Sequence, residues 1–347
     1  MTEIVRVFVV DDSAYVRKVF REMLSRSPFI EVVGMARNGA EALELVAELE
    51  PDVVTCDLNM PEMDGVAFVR AQMAIRPVPI LVISIASGSG EQVLAALDAG
   101  AIDFIQKPTA LATDRLMDIS EELIEKVKAA AQAAPLRALF PREAAAPLVI
   151  PARRQGDLAT DVLVIGTSTG GPQALKVVMA KLPVDCPVPV AMVLHMPLGY
   201  TEMYAAKLNE IAALHVVEAQ GGEVVMAGHA FLAPAGRHLT FARDAAGVVR
   251  TRLGLHPLDT QHRPAVDVLF QSAAEVYGSR VLGVVMTGMG ADGRAGAAWI
   301  KAKGGRVITE AEASCVVYGM PRSVVEAGLS DASVPLDDLA RTIMERL

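Results

Sequence analysis

Two sets of residues in this chain have the types and spacing for chemistry. The first is Asp11-Asp12, Asp57 and Lys107. Two adjacent carboxylates facing a third repel one another unless a cation lies among them. An all-oxygen donor set with room for water suits Mg²⁺ better than a transition metal. A carboxylate that also ligates the metal can act as nucleophile toward a phosphoryl group, forming an aspartyl-phosphate. Lys107 offers a cation to phosphoryl oxygens, and Ser84 a hydroxyl that can follow the new charge. Pro108 fixes the loop after Lys107, with a cis bond as one means. An Asp-Asp pair alone is more often a solvated loop or a helix cap; the weight rests on the whole set.

The second set is Gly166-Thr167-Ser168-Thr169-Gly170-Gly171. It fits G-x-S-x-G between a strand and a helix, which puts a serine on a tight turn near backbone N–H groups. The same turn could serve as a phosphate-binding or purely structural one. It lacks the G-K-[ST] of a P-loop. A dinucleotide site is the stronger rival, but the acidic residue it needs further on would be Asp185, in a proline-rich turn. A non-catalytic binding module with an inert turn also stays open.

A nucleophilic serine needs a base and a carboxylate to orient it. Among six histidines, His195 ends an apolar run and begins a loop containing Pro197. His215 reads as a core or edge residue, while His229, His238, His256 and His262 are expected on surface loops. Asp292, in the glycine-rich stretch 288–293, is the favoured orienting acid. Its competitor Asp267 is expected to cap or pair near a helix running through Ala274. The resulting chain order Ser, His, Asp differs from the Ser, Asp, His of α/β-hydrolases.

The elements that must position these groups alternate regularly. Apolar runs at 4–10, 30–36, 52–56, 80–84 and 101–105 read as strands, with helices at 14–27, 39–50 and 114–134. This predicts a parallel sheet covered on both faces, with Asp11, Asp12, Asp57, Ser84 and Lys107 at carboxyl ends of strands. Residues 135–157 hold four prolines, an alanine cluster and Arg153-Arg154, the composition of an interdomain linker. A second α/β unit follows, with strands expected at 161–166, 188–194, 281–287 and 305–309, and a β-rich, turn-rich stretch at 215–255. The expected fold class is therefore α/β, with two doubly wound parallel-sheet domains.

Bulk properties agree. A chain of 347 residues suits two domains. Hydrophobic residues make up 52% and aromatics only 4%, so the core must be mainly aliphatic. A net charge of -9 with no basic stripe argues against nucleic acid as a partner. Three scattered cysteines, Cys56, Cys186 and Cys315, read as free thiols in a reducing compartment. No signal peptide and no apolar run of membrane-spanning length is evident, so the expected location is cytoplasmic, without membrane insertion.

The segments 9–13 (Val-Val-Asp-Asp-Ser), 56–61 (Cys-Asp-Leu-Asn-Met-Pro), 63–65 (Met-Asp-Gly) and 106–108 (Gln-Lys-Pro) resemble a response-regulator receiver domain over roughly residues 1–128. The resemblance implies a flavodoxin-like fold and Asp57 as phosphoacceptor. It also implies Mg²⁺ on Asp11, Asp12, Asp57 and the Asn59 carbonyl, and a switch made of Ser84, Phe104 and Lys107. Residues 165–171, 195–197, 263–270, 286–293 and 314–321 resemble the catalytic domain of the chemotaxis protein-glutamate methylesterases, the CheB family. Receiver followed by this Rossmann-like domain is also that family's architecture. Thr167 stands where alanine is frequent, Tyr200 and Tyr318 where phenylalanine is, and Ile85 where a small polar residue is common.

This second resemblance implies Ser168 as nucleophile, His195 as base, Asp292 as orienting acid, the Met289 N–H as oxyanion donor and Thr169 beside the nucleophile. The implied substrates are glutamate γ-methyl esters on methyl-accepting chemotaxis receptors, with glutamine side chains as a second substrate. A chemotaxis histidine kinase is the implied phosphodonor, and the esterase step needs no cofactor. The expected domains are a receiver at 1–134, a linker at 135–157 and a catalytic domain at 158–347. The unphosphorylated receiver is expected to cover the Ser168 cleft.

Overall fold

Strands buried on both faces need continuous aliphatic runs, and helices between them need caps. The computed structural model describes residues 4–85, 90–107, 113–132 and 160–347. The expected linker at 135–157 and Pro108 lie outside the described residues. The chain divides into two compact units, Met1–Pro141 and Arg142–Leu347.

The first unit runs β1 (Val5–Val10), α1 (Ala14–Leu24), β2 (Ile30–Ala36), α2 (Gly39–Leu49), β3 (Val53–Asp57), α3 (Gly65–Ile75), β4 (Ile80–Ile85), α4 (Gly90–Ala99), β5 (Asp103–Lys107) and α5 (Thr113–Ala131). Its five strands lie in the order β2-β1-β3-β4-β5, with parallel neighbours throughout. Side chains start the helices. Asn38 Oδ1 accepts from Glu41 N–H at 2.9 Å, and Asp64 Oδ1 from Ala67 N–H at 2.8 Å. The strand order reverses at β1, and open α/β sheets bind ligands outside the carboxyl ends at such a point.

Most boundaries fall within a residue or so of expectation, and two of the differences have a clear physical reason. The first helix stops at Leu24 rather than 27, because Pro28 disfavours helix in the residue before it. The fifth strand begins at Asp103 rather than 101. Ala101 and Ile102 are buried, but the ladder with β4 starts where Asp103 pairs with Leu81. An apolar run marks burial, which is a different thing from strand pairing.

The second unit continues with β6 (Val162–Thr167), α6 (Gly171–Lys181), β7 (Val190–Leu194), α7 (Thr201–Ile211), β8 (His215–Glu218), β9 (His229–Leu232), β10 (His238–Arg243), β11 (Val249–Gly254) and α8 (Val266–Tyr277). Then come β12 (Val281–Val285), α9 (Arg294–Ala302), β13 (Arg306–Glu310), α10 (Met320–Glu326), β14 (Ala332–Val334) and α11 (Leu336–Arg346). Seven strands form a wholly parallel sheet in the order β14-β13-β12-β6-β7-β9-β8. The β-rich stretch resolves into two parts. β8 and β9 extend this sheet, while β10 and β11 form an antiparallel hairpin. The hairpin is fastened to α8, where Ser272 Oγ accepts from Phe241 N–H at 2.6 Å and Phe241 meets Tyr277 edge to face. Val164, Val193, Phe231, Phe270 and Ile300 lie in one core around the sheet.

No helix among the described residues is long and apolar enough to cross a membrane.

Candidate active site

Ser168 follows β6 directly. Gly171 N–H donates to Ser168 O at 2.7 Å, and Gly170 between them has φ 79°, so the strand turns at once into α6. Pro172 in the first turn of α6 gives up an N–H the helix would leave unpaired anyway. The segment just after β12 grips this turn through Thr287. Thr287 O accepts from Ser168 N–H at 3.0 Å and from Thr167 Oγ1 at 2.6 Å, and Thr287 Oγ1 donates to Thr169 O at 2.9 Å. Thr169 is buried.

The chain then passes so close to the serine that a Cβ on Gly288 would lie 2.9 Å from Ser168 Cβ and would also strike Met320 Sδ. Only glycine fits there. Met289, next in line, is half-buried, and its N–H donates to no acceptor among the described residues.

His195 begins the loop after β7, and its N–H donates to Thr167 O at 3.2 Å. Its Nε2 lies 2.8 Å from Asp292 Oδ2, while Nδ1 is buried and has no hydrogen-bond partner. A carboxylate only accepts, so the hydrogen on Nε2 points at Asp292, and Nδ1 is the nitrogen on the other side of the ring. No hydrogen bond joins Ser168 to this ring.

Burial acts to raise the Asp292 pKa. The hydrogen bond and charge of His195, with the N–H groups of Asp267 and Val266, outweigh it and hold the carboxyl below its ordinary value. These N–H groups open α8. Val266 N–H reaches Asp292 Oδ2 at 2.8 Å and Asp267 N–H reaches Oδ1 at 2.9 Å. Asp267 does the converse. Its Oδ1 accepts from Gly293 N–H at 2.9 Å and Gly296 N–H at 2.7 Å at the start of α9. Each carboxylate caps the helix that bears or follows the other. The competitor residue is thus a cap, as expected, but for a helix other than its own.

Two histidines, His238 and His229, differ from their expected place on surface loops. His238 is fully buried in β10, where Nδ1 accepts from Ala265 N–H at 3.2 Å and Nε2 donates to Pro257 O at 3.1 Å. Burial lowers its pKa, so it is a neutral strut under the N-terminus of α8. His262 does lie in a loop, but half-buried and stacked on His195 with centroids 4.0 Å apart. His229 is a β9 residue. The sequence signal missed for His238 was the strand pattern beginning at that residue; no local signal marks His262. His215 lies on the edge strand β8, and His256 is exposed as expected. Beside His262 and Asp292 lies a cleft of about 260 Å³, also lined by Thr260, Gln261, Asp267 and Arg294. Asp185, which a dinucleotide site would need on a strand, is exposed in a turn between α6 and β7.

In the first unit, one oxygen from each of Asp11, Asp12 and Asp57 lies within 4.8 Å of the others. Lys107 Nζ bridges Asp11 Oδ2 at 2.7 Å and Asp57 Oδ2 at 3.0 Å. Burial raises the Asp57 pKa, Lys107 opposes, and Asp11 adds to the rise. Burial acts against the charge on Lys107, but Asp57 and Asp11 outweigh it and its pKa goes up. Asp57 Oδ1 also accepts from Leu58 N–H at 2.8 Å. Ser84 is buried on β4, paired in register with Gln106, and Phe104 is buried on β5. Asn59 is exposed, two residues beyond Asp57. An oxygen-only cluster with one exposed member suits a hard divalent cation.

A serine turn, a histidine and an aspartate at adjacent strand ends of one parallel sheet, joined to a unit with a clustered acidic site, define a receiver-linked α/β hydrolase. The family model for the CheB methylesterase matches residues 163–343, and that for the response regulator receiver domain matches residues 7–120. A Myxococcus xanthus protein named protein-glutamate methylesterase/protein-glutamine glutaminase 5 is 50% identical over 340 residues, 96% of each chain. A Geobacillus kaustophilus protein named protein-glutamate methylesterase/protein-glutamine glutaminase is 43% identical over 344 residues, 98% of each. The crystal structure of the Thermotoga maritima CheB methylesterase catalytic domain has a TM-score of 0.53 and 39% identity, covering 55% of this chain and 100% of that one. The chain belongs to the CheB methylesterase family, with a receiver domain ahead of the catalytic domain.

Proposed function

We propose that Ser168, His195 and Asp292 demethylate glutamate γ-methyl esters on methyl-accepting chemotaxis receptors, and deamidate receptor glutamines by the same route. The observation that carries this reading is the buried, unbonded Nδ1 of His195, on a ring held from its other nitrogen by Asp292. A buried nitrogen without a partner costs stability, and a base awaiting a substrate-linked proton accounts for it. Ser168 Oγ attacks the ester carbonyl as His195 takes its proton. The oxyanion rests on backbone N–H groups, Met289 among them, with Thr169 beside the nucleophile. The proton passes to the departing methoxide, which leaves as methanol. Water activated by His195 then releases the glutamate carboxylate and restores Ser168. With glutamine, ammonia leaves instead.

Asp57 is the phosphoacceptor in this reading. Asp11, Asp12, Asp57 and the Asn59 carbonyl would hold Mg²⁺, which neutralises charge on the phosphoryl group. Lys107 and Ser84 contact the phosphorylated carboxylate, and Phe104 is the second switch residue. The phosphodonor is the chemotaxis histidine kinase, and the cytoplasm is where kinase and receptor tails meet this enzyme. The domains are the receiver at 1–134, the linker at 135–157 and the catalytic domain at 158–347.

The test uses full-length protein treated with a small phosphodonor. Methanol release from methylated receptor should fall by roughly 10⁴-fold or more in Ser168→Ala. The same variant should take up phosphate at Asp57 as the wild type does. Retained esterase activity in Ser168→Ala would remove the serine from the mechanism.

A further inference from the structure

Behind the Ser168 turn lies a carboxyl group that the acyl transfer does not use. Glu310, the last residue of β13, is wholly buried. Its Oε2 accepts from Thr287 N–H at 2.9 Å, and its Oε1 accepts from Ser314 Oγ at 3.0 Å. Thr287 is the residue that holds the backbone or side chain of Thr167, Ser168 and Thr169. It also immediately precedes Gly288, whose backbone packs against Ser168.

We propose that Glu310 is a positioning residue for the acyl transfer, acting through Thr287 on the turn that carries Ser168. The inference rests on Ser168 being the nucleophile. A buried carboxyl is costly, and an apolar side chain would fill the same space more cheaply in solvation terms. What an apolar side chain cannot do is accept the Thr287 N–H, and an orphaned N–H there would free the segment that grips the nucleophile.

The group can also change state. Its hydrogen-bonding neighbours are the Thr287 N–H on the β12 side and, on the turn after β13, the Ser314 hydroxyl and the Cys315 thiol; no cation figures among them. Burial keeps Cys315 protonated, and the exposed Glu312 carboxylate acts on Cys315 rather than on Glu310. The α11 side contributes only the Leu336 N–H, which donates to Ser314 Oγ at 3.0 Å. Burial pushes the Glu310 pKa up to about 7.

Both protonation states can satisfy the network. When Glu310 is ionised, the Ser314 hydroxyl donates to it. When it is protonated, its own O–H donates to Ser314, whose hydrogen turns to Ala311 O at 3.2 Å. The difference falls on Thr287, because a charge-assisted bond to its N–H is shorter and stronger than a neutral one.

The experiment measures the rate at which a serine-reactive fluorophosphonate labels full-length wild type, Glu310→Gln, Glu310→Ala and Ser168→Ala between pH 5.5 and 8.5. Circular dichroism confirms folding. Glutamine keeps an acceptor for Thr287 and offers an amide donor to Ser314, so Glu310→Gln should label readily but with a pH profile around 7 that differs from the wild type's. Glu310→Ala should label about 10–100-fold more slowly. Wild-type labelling in Glu310→Ala, or an unchanged pH profile in Glu310→Gln, overturns the proposal. If Glu310→Ala does not fold, the Glu310→Gln profile alone decides. Labelling of Ser168→Ala at the wild-type rate would instead sink the serine assignment and leave Glu310 without a reaction to position.

Discussion

At the scale of single residues, Asp292 has two duties in one carboxylate: it holds the His195 ring and it accepts the N–H groups of Val266 and Asp267. Asparagine can do only part of this. Its amide offers one acceptor oxygen where three donors converge, and it no longer requires the proton to sit on Nε2. Asp292→Asn should therefore slow methanol release by about 10³–10⁴-fold. Because the folded carboxyl lies below its ordinary value, Asp292 is ionised throughout the neutral range. The placement of Ser168, His195 and Asp292 after strands of one sheet was legible in the sequence because each follows a run that reads as apolar. His262 was not, because its stacking on His195 depends on two loops meeting from distant parts of the chain. Glu310 was hidden for a related reason: a carboxylate at a strand end reads as solvated until the segments after β12 and β13 close over it.

At the scale of elements, the parallel sheet places the site by order alone. β6 has β12 on one side and β7 on the other, so the loops that follow them share one end of the sheet. Strand order could not be read from the sequence. Alternation predicts parallel strands but does not say that β9 lies between β7 and β8, or that β10 and β11 leave the sheet. The α8–α9 pair is a second device. Asp267 Oδ1 accepts two N–H groups at the start of α9, so Asp267→Ala orphans both at once. Loss of a helix cap costs roughly 0.5–2 kcal/mol. The Asp267→Ala protein should unfold at lower denaturant with a cost near the upper end of that range. Its turnover should fall as well, since the loop bearing Asp292 leads directly into α9. An unchanged midpoint would mean that the two caps are not energetically coupled to the fold.

At the scale of the whole molecule, two carboxyls, the half-buried Asp292 and the buried Glu310, make stability depend on pH in opposite senses. Asp292, with a depressed folded pKa, contributes stability that is present above the ordinary Asp value and lost as pH falls through the folded one. Glu310 has a pKa raised from 4.5 to about 7, so its contribution is full below 4.5 and is lost as pH rises through about 7. Relative to Glu310→Gln, the wild type should lose up to about 3 kcal/mol of unfolding free energy between those limits. Equal slopes for the two proteins in urea titrations across that window would refute this. That the chain holds two α/β units was legible in the sequence, since the alternation of strands and helices is interrupted by a proline-rich stretch. The exchange of caps between Asp267 and Asp292 has one more consequence, for the order of assembly. Val266 and Asp292 are 26 positions apart in the chain, and β12 lies between them. A refolding chain could build its sheet and most of its helix content before those two helix ends meet. Esterase activity should therefore return after the far-ultraviolet signal, so that recovered turnover reports the last docking step of the fold.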